Sequence, residues 1–143
     1  MASQFAAIVT AMVAALGSGT PVSGQIYRAR MRPLAAQHAN AVVVRLQSSQ
    51  AEPNAITGAP FDWQTIISTE CYARSTSTSP DLAADTLWAA VYARLVADTT
   101  LGAVVSDLRC ISLAYDFDQD TDATVCISAT WQANHRSSAG VIT

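Results

Sequence analysis

Phe61-Asp62-Trp63-Gln64-Thr65-Ile66-Ile67-Ser68-Thr69-Glu70-Cys71-Tyr72-Ala73-Arg74 decides how the rest of the chain is read. Trp63, Thr65, Ile67, Thr69, Cys71 and Ala73 alternate with Gln64, Ile66, Ser68, Glu70, Tyr72 and Arg74. A period of two, rich in β-branched and aromatic residues, is a strand pattern. The polar run Arg74–Ser79 bonds its own backbone too readily to continue a ladder, so the chain turns there. Ser79 then stands in N-cap position before Pro80, with Asp81 where the helix dipole favours an anion. Ala84, Leu87, Trp88, Val91, Tyr92 and Leu95 recur at steps of three and four, which predicts a helix with one apolar stripe. Gly102 is its expected stop. The stretch is a packing unit and holds no chemical equipment.

Upstream, Phe5, Ile8, Val9, Met12, Val13 and Leu16 make a second helical stripe, with Ser3 as cap and Gly17 as stop. No Lys or Arg precedes Arg28, so the positive region of a signal peptide is missing, and the segment is too short to span a bilayer. Gln25–Arg32 reads as a strand whose one face carries Arg28, Arg30 and Arg32. Three arginines cannot be buried unpaired, so that face is either solvated or matched by a charged contact. Ala41–Leu46 reads as a short apolar strand, central in a sheet. Gln47–Pro60 reads as a long polar loop, of a length that is often functional or mobile.

Downstream, Asp107–Tyr115 and Thr124–Trp131 read as a hairpin. Arg109, Ile111, Leu113 and Tyr115 share one face of it. Val125, Ile127, Ala129 and Trp131 share one on the partner. The tail from about residue 134 is small and polar enough to fray. The order is α-β-β-β-α-β-β, which predicts an α+β two-layer sandwich: a mainly antiparallel sheet with two amphipathic helices, residues 1–143 forming a single domain.

Half of the 143 residues are hydrophobic and 13% are charged, well under the ~25% of an ordinary soluble domain. Such a chain is short of solvating groups, which points to surface covered by partners. All eight basic residues are arginine, which reflects either a side chain suited to fixed bidentate pairing at interfaces or the base composition of the host. A net charge of −3 argues against a nucleic-acid binder driven by phosphate neutralisation. Cys71, Cys110 and Cys126 are an odd, widely spaced set, which fits small buried hydrophobes in a cytosolic folding compartment.

Asp116-Phe117-Asp118-Gln119-Asp120-Thr121-Asp122 looks like the start of a calcium loop. The EF-hand pattern fails, because Thr121 stands where the sharp turn wants Gly and Ile127 where the bidentate Glu belongs. Asp116, Asp118, Asp120 and Asp122 therefore read as a solvated hairpin tip, with no metal required. His38 and His135 have no Asp or Cys at ligand or triad spacing, and no phosphate loop or nucleophile motif is present. No catalytic residue, cofactor or metal ligand can be nominated, so the chain reads as a non-enzyme.

The organisation resembles the tail terminator (minor tail or tail-completion) proteins of long-tailed bacteriophages, over roughly residues 3–136. The resemblance rests on the Ala-rich N-terminal helix, Val22-Ser23-Gly24-Gln25-Ile26-Tyr27-Arg28-Ala29-Arg30, and the apolar Ala41-Val42-Val43-Val44. Glu70-Cys71-Tyr72-Ala73-Arg74 follows, then Asp81-Leu82-Ala83-Ala84-Asp85 and Asp98-Thr99-Thr100-Leu101-Gly102-Ala103-Val104-Val105 before the closing hairpin. It implies a virion protein of the head-proximal tail end, assembled in the host cytoplasm as a hexameric ring. Such a ring caps the tail tube, ends its polymerisation and joins the head. The implied partners are the major tail tube protein and a head connector or completion protein, with no membrane. Genome DNA at most passes through the ring lumen. Residues Arg28, Arg30, Arg32, Asp116, Asp118, Asp120 and Asp122 are the candidate subunit or tube interface, one copy's basic face meeting the next copy's acidic tip. The alternatives are a head-completion or connector neck protein, or a small cytosolic ligand-binding α+β domain.

Overall fold

The computed structural model describes residues 3–29, 39–52, 60–74, 79–117 and 124–137. Two helices and five strands follow in the order α1 (Gln4–Gly17), β1 (Ile26–Arg28), β2 (Asn40–Glu52), β3 (Phe61–Arg74), α2 (Pro80–Val96), β4 (Asp107–Phe117) and β5 (Thr124–Ser137). The strands form one sheet in spatial order β1-β2-β3-β5-β4. β1 is parallel to β2 and every other pair is antiparallel, so the α+β class and the element order are as the sequence predicts.

Both helices lie on one face of the sheet, hereafter the inner face. α1 crosses β1 and β2, and α2 crosses β3 and β5. Most of the stripes read from the sequence is buried: Ile8, Val9, Met12 and Leu16 on α1, and Ala84, Leu87, Trp88, Val91 and Leu95 on α2, whereas Tyr92, expected on the α2 stripe, is exposed. They meet Val42, Val44, Ile67, Cys71, Ile127, Ala129 and Trp131, the inward set of three strands. Each fully buried aliphatic side chain contributes ~1.5–3 kcal/mol, so this layer supplies most of the folding drive. Ser3 caps α1 as expected, its Oγ accepting from the Ala6 amide. The Arg94 guanidinium of α2 donates to the Ala15, Ser18 and Thr20 carbonyls, which satisfies the end of α1 and ties the helices together.

Four boundaries differ from the sequence reading. β2 does not stop at Leu46; residues 47–52, expected as the start of a loop, are strand. They are held by pairing with β3 through Glu52↔Asp62 and by the Ser49–Thr65 and Gln64–Glu52 side-chain bonds, none of which needs apolar alternation. Residues 53–59 of the expected loop lie outside the described residues. β5 runs to Ser137, so residues 134–137, expected to fray, are paired with β3. β1 is only three residues long, because Ala29 takes a left-handed φ of +53° and ends the extended run. α2 ends at Val96, ahead of Gly102. The Asp98 carboxylate accepts from the Thr100 amide, the Thr100 hydroxyl and the Gly102 amide, folding Leu101–Ala103 into a left-handed turn instead.

Candidate functional site

Two of the seven residues proposed as an interface can be placed. Arg28 is the last residue of β1, and its guanidinium donates to Thr10 Oγ1 (2.6 Å) and to the Ala6 carbonyl (3.0 Å) on α1. It therefore joins strand to helix on the inner face instead of standing in solvent. Asp116 lies exposed near the end of β4, at the opposite edge of the sheet and on the outer face, opposite Cys126. The two are not brought together within the subunit. Arg30 and Arg32 lie outside the described residues, as do Asp118, Asp120 and Asp122. The left-handed Ala29 also breaks the strict strand alternation on which the Arg28–Arg30–Arg32 face was predicated.

The sequence reading missed what β4 does. A bulge between Cys110 and Ser112 slips the register by one. Arg109 consequently faces outward, opposite Gln132, whereas Leu113, Tyr115 and Phe117 face inward, opposite Ala129, Ile127 and Val125. On β5 those partners are buried, but among the described residues neither helix packs over the Leu113–Phe117 half of β4. Leu113, Tyr115 and Phe117 remain 39%, 59% and 56% exposed, and Ile111 at the bulge 48%. An apolar row on an uncovered edge strand is the liability that soluble monomers avoid, and it marks an interaction surface.

At the other side of the sheet β1 covers β2 only along Val42–Val44. Beyond it, among the described residues, no strand pairs with the edge of β2 from Arg45 to Glu52. Where β1 ends, a depression of about 280 Å³ opens, lined by Val9, Arg28, Ala29, Val44, Arg45 and Leu46. The outer face carries a second, polar depression of about 490 Å³ lined by Glu52, Gln64, Asn134, Arg109 and the Arg136–Asp62 ion pair (Nε–Oδ1 2.7 Å). That pair holds the Asp62 carboxyl below its ordinary range, chiefly through the arginine hydrogen bond.

Buried chemistry is sparse. Cys71 is fully buried and its thiol is pushed up to about 12 by desolvation, which makes it inert. Cys110 and Cys126 are part-buried, also raised by burial, and none of the three forms a disulfide. Glu70 accepts from Tyr72 Oη (2.6 Å) and Arg45 Nη2 (3.1 Å) on the outer face. His135, undistinguished in the sequence, is 3% exposed and sits in a polar relay. Its Nε2 meets Thr65 Oγ1 at 2.6 Å and its Nδ1 meets Gln4 Oε1 at 2.9 Å, while Ser49 bonds Thr65 and Gln4 Nε2 donates to the Arg136 carbonyl. The relay pins the start of α1 to the sheet. Among the described residues no three His, Cys, Asp or Glu side chains gather as a metal site. No helix among them is long and apolar enough to cross a membrane.

Among the described residues, the open sheet edges are the surfaces left without a strand partner. The fold itself is similar to that of a chain in the virion of the native gene transfer agent (GTA) particle. The TM-score is 0.51 at 14% identity, covering 91% of this chain and 95% of that one. The likeness is one of fold. No protein-family profile and no curated protein matches the chain.

Proposed function

We propose that this chain is a structural virion protein, a tail terminator that closes the finished tail tube as a ring and presents the surface to which the head is joined. The observation that carries the reading is the likeness, over nearly the full length of both chains, to a chain from a gene transfer agent virion. The site supports it from another direction. A ring subunit must bury two unlike surfaces against two neighbours, and this sheet has two unlike open edges, one apolar and one polar with an apolar depression. Such a contact closes by rotation and requires no self-complementary patch. The low charge of the chain leaves enough apolar surface for it. In this reading the ring is a hexamer that meets the major tail tube protein on one side and a head connector or completion protein on the other. It has no catalytic role, and genome DNA only passes through its lumen.

Deleting the gene in the particle-producing host and imaging the products by electron microscopy tests the assignment. Tubes beyond normal length, beside heads without tails, are expected. Normal-length tails lying unjoined next to filled heads would assign the chain to the neck as a head-completion protein instead, and unchanged particles would refute both.

A further inference from the structure

The two open edges run in opposite directions, since β2 and β4 are antiparallel within the sheet order β1-β2-β3-β5-β4. A copy placed beside the subunit by rotation about an axis tilted from the strands, as in a closed barrel, therefore presents its β4 antiparallel to the free part of β2. The geometry points to a head-to-tail joint in which β4 of one copy adds to β2 of the next, with Arg109 opposite Glu52, Tyr115 opposite Leu46 and Asp116 opposite Arg45. This joint rests on the ring reading above and specifies which surfaces make the ring.

The register follows from the subunit's own rungs. Arg109 lies level with Ile66 and Glu52 with Asp62, four residues apart along β3. Phe117 lies level with Ala73 and Val44 with Thr69, again four residues apart. One stagger of four residues, ~13 Å at ~3.3 Å per residue, thus aligns both ends of the joint at once. With the strands tilted from the ring axis, pure rotation brings neighbouring copies together with a fixed stagger of this kind.

Faces and charges agree with that register. Tyr115, Phe117, Leu46 and Val44 all belong to the inner face, so the two aromatic rings reach the depression lined by Val9, Val44 and Leu46. Arg109, Glu52, Asp116 and Arg45 all belong to the outer face. Among the described residues Arg109 and Asp116 have no ion pair, and Glu52 accepts only from Gln64. The joint gives each an opposite charge: Arg109 to Glu52 at one end, and Asp116 to Arg45, which already holds Glu70, at the other. Pairing of β4 with its own copy would leave the β2 edge and its depression open.

Exposed positions make the test clean. In a Cys110→Ser, Cys126→Ser background, Leu46→Cys and Tyr115→Cys place sulfurs at opposed positions, within the ~4.5–5.5 Å Cβ spacing of directly opposed strand residues. Circular dichroism checks that each variant folds. Mild oxidation of the double variant should give a ladder of linked copies, and mixing the two single variants should give a mixed dimer. Arg109→Glu should weaken association roughly fivefold to tenfold, with Glu52→Arg restoring it, as expected for a rim pair reversed and then re-matched. Dimers from Tyr115→Cys alone would show self-pairing of β4 and overturn the joint. Rings seen by native mass spectrometry without cross-links would overturn the joint and leave the ring reading standing. A protein monomeric at every concentration would overturn both.

Discussion

The indole Nε1 of Trp131 donates a 3.0 Å hydrogen bond to Thr69 Oγ1, strand β5 to strand β3, at a place where both residues are fully buried. The bond lets the largest side chain of the core sit in a dry layer without leaving its polar atom unsatisfied. Thr69→Val keeps the shape and removes the acceptor, so it should destabilise the fold by ~1–3 kcal/mol. Thr69→Ser, which keeps the hydroxyl, should cost less. Urea unfolding of the two variants checks the order; equal losses would mean that the methyl group, and not the bond, matters.

His135 makes stability depend on pH. Burial lowers its folded-state pKa below the ordinary 6.5, so the unfolded chain binds more protons between the two values. Stability is whole above 6.5 and is lost as the pH falls through the folded value. Protonation would also leave Nε2 unable to accept from the Thr65 hydroxyl. The unfolding midpoint should therefore drop as the pH falls below 6.5, ahead of the carboxylates. His135→Gln should flatten that part of the profile. A wild-type midpoint level down to pH 5 would count against this account.

The turn after α2 holds two non-glycine residues at positive φ, Leu101 at +50° and Ala103 at +69°. A left-handed residue with a Cβ costs ~1–2 kcal/mol, against ~0.4–1 kcal/mol for the added freedom of glycine in the unfolded chain. Exposed Ala103→Gly should accordingly stabilise by up to ~1 kcal/mol. Leu101→Gly should destabilise, because Leu101 is 7% exposed and gives up its burial in the core. Thermal unfolding of the pair gives opposite signs if the argument holds.

Arg94 is the only α2 side chain that donates to the last carbonyls of α1 among the described residues. Arg94→Lys keeps the charge and loses the fork. Hydrogen exchange should then quicken in the last turn of α1 and stay unchanged in β3 and β5. Uniform quickening across the sheet would instead indicate global destabilisation.

Elements whose burial writes a period into the chain were legible. The α1 and α2 stripes and the inward set Thr65, Ile67, Thr69, Cys71 and Ala73 of β3 appear in the sequence because one side of each meets the core. Edges write no such period. Residues 47–52 of β2 are strand through backbone pairing and polar cross-strand bonds, and their polar side chains look like a loop. The β4 bulge moved Leu113 and Tyr115 to the face opposite Arg109, a one-residue slip that depends on pairing with β5 and leaves no mark in β4 itself. The candidate site lies on these edges, so composition points to surface that partners cover while the pattern could not say which surface that is. The Arg28–Asp116 contact was placed by charge alone, and sign carries no information about which face of a sheet a residue takes.

Trp88, Tyr92 and Trp131 form a cluster with ring centroids 5.7–6.0 Å apart, and only the Tyr92 ring stands substantially in solvent. Light absorbed by that tyrosine passes readily to the two neighbouring indoles, whose water-poor surroundings keep their emission blue. Trp63 sits apart from them, packed edge-on to Phe5 at 5.0 Å. The molecule thus carries an intrinsic optical label at one corner of α2: whatever covers Tyr92 alters the emission of the cluster, so that corner can be followed during assembly without attaching a dye.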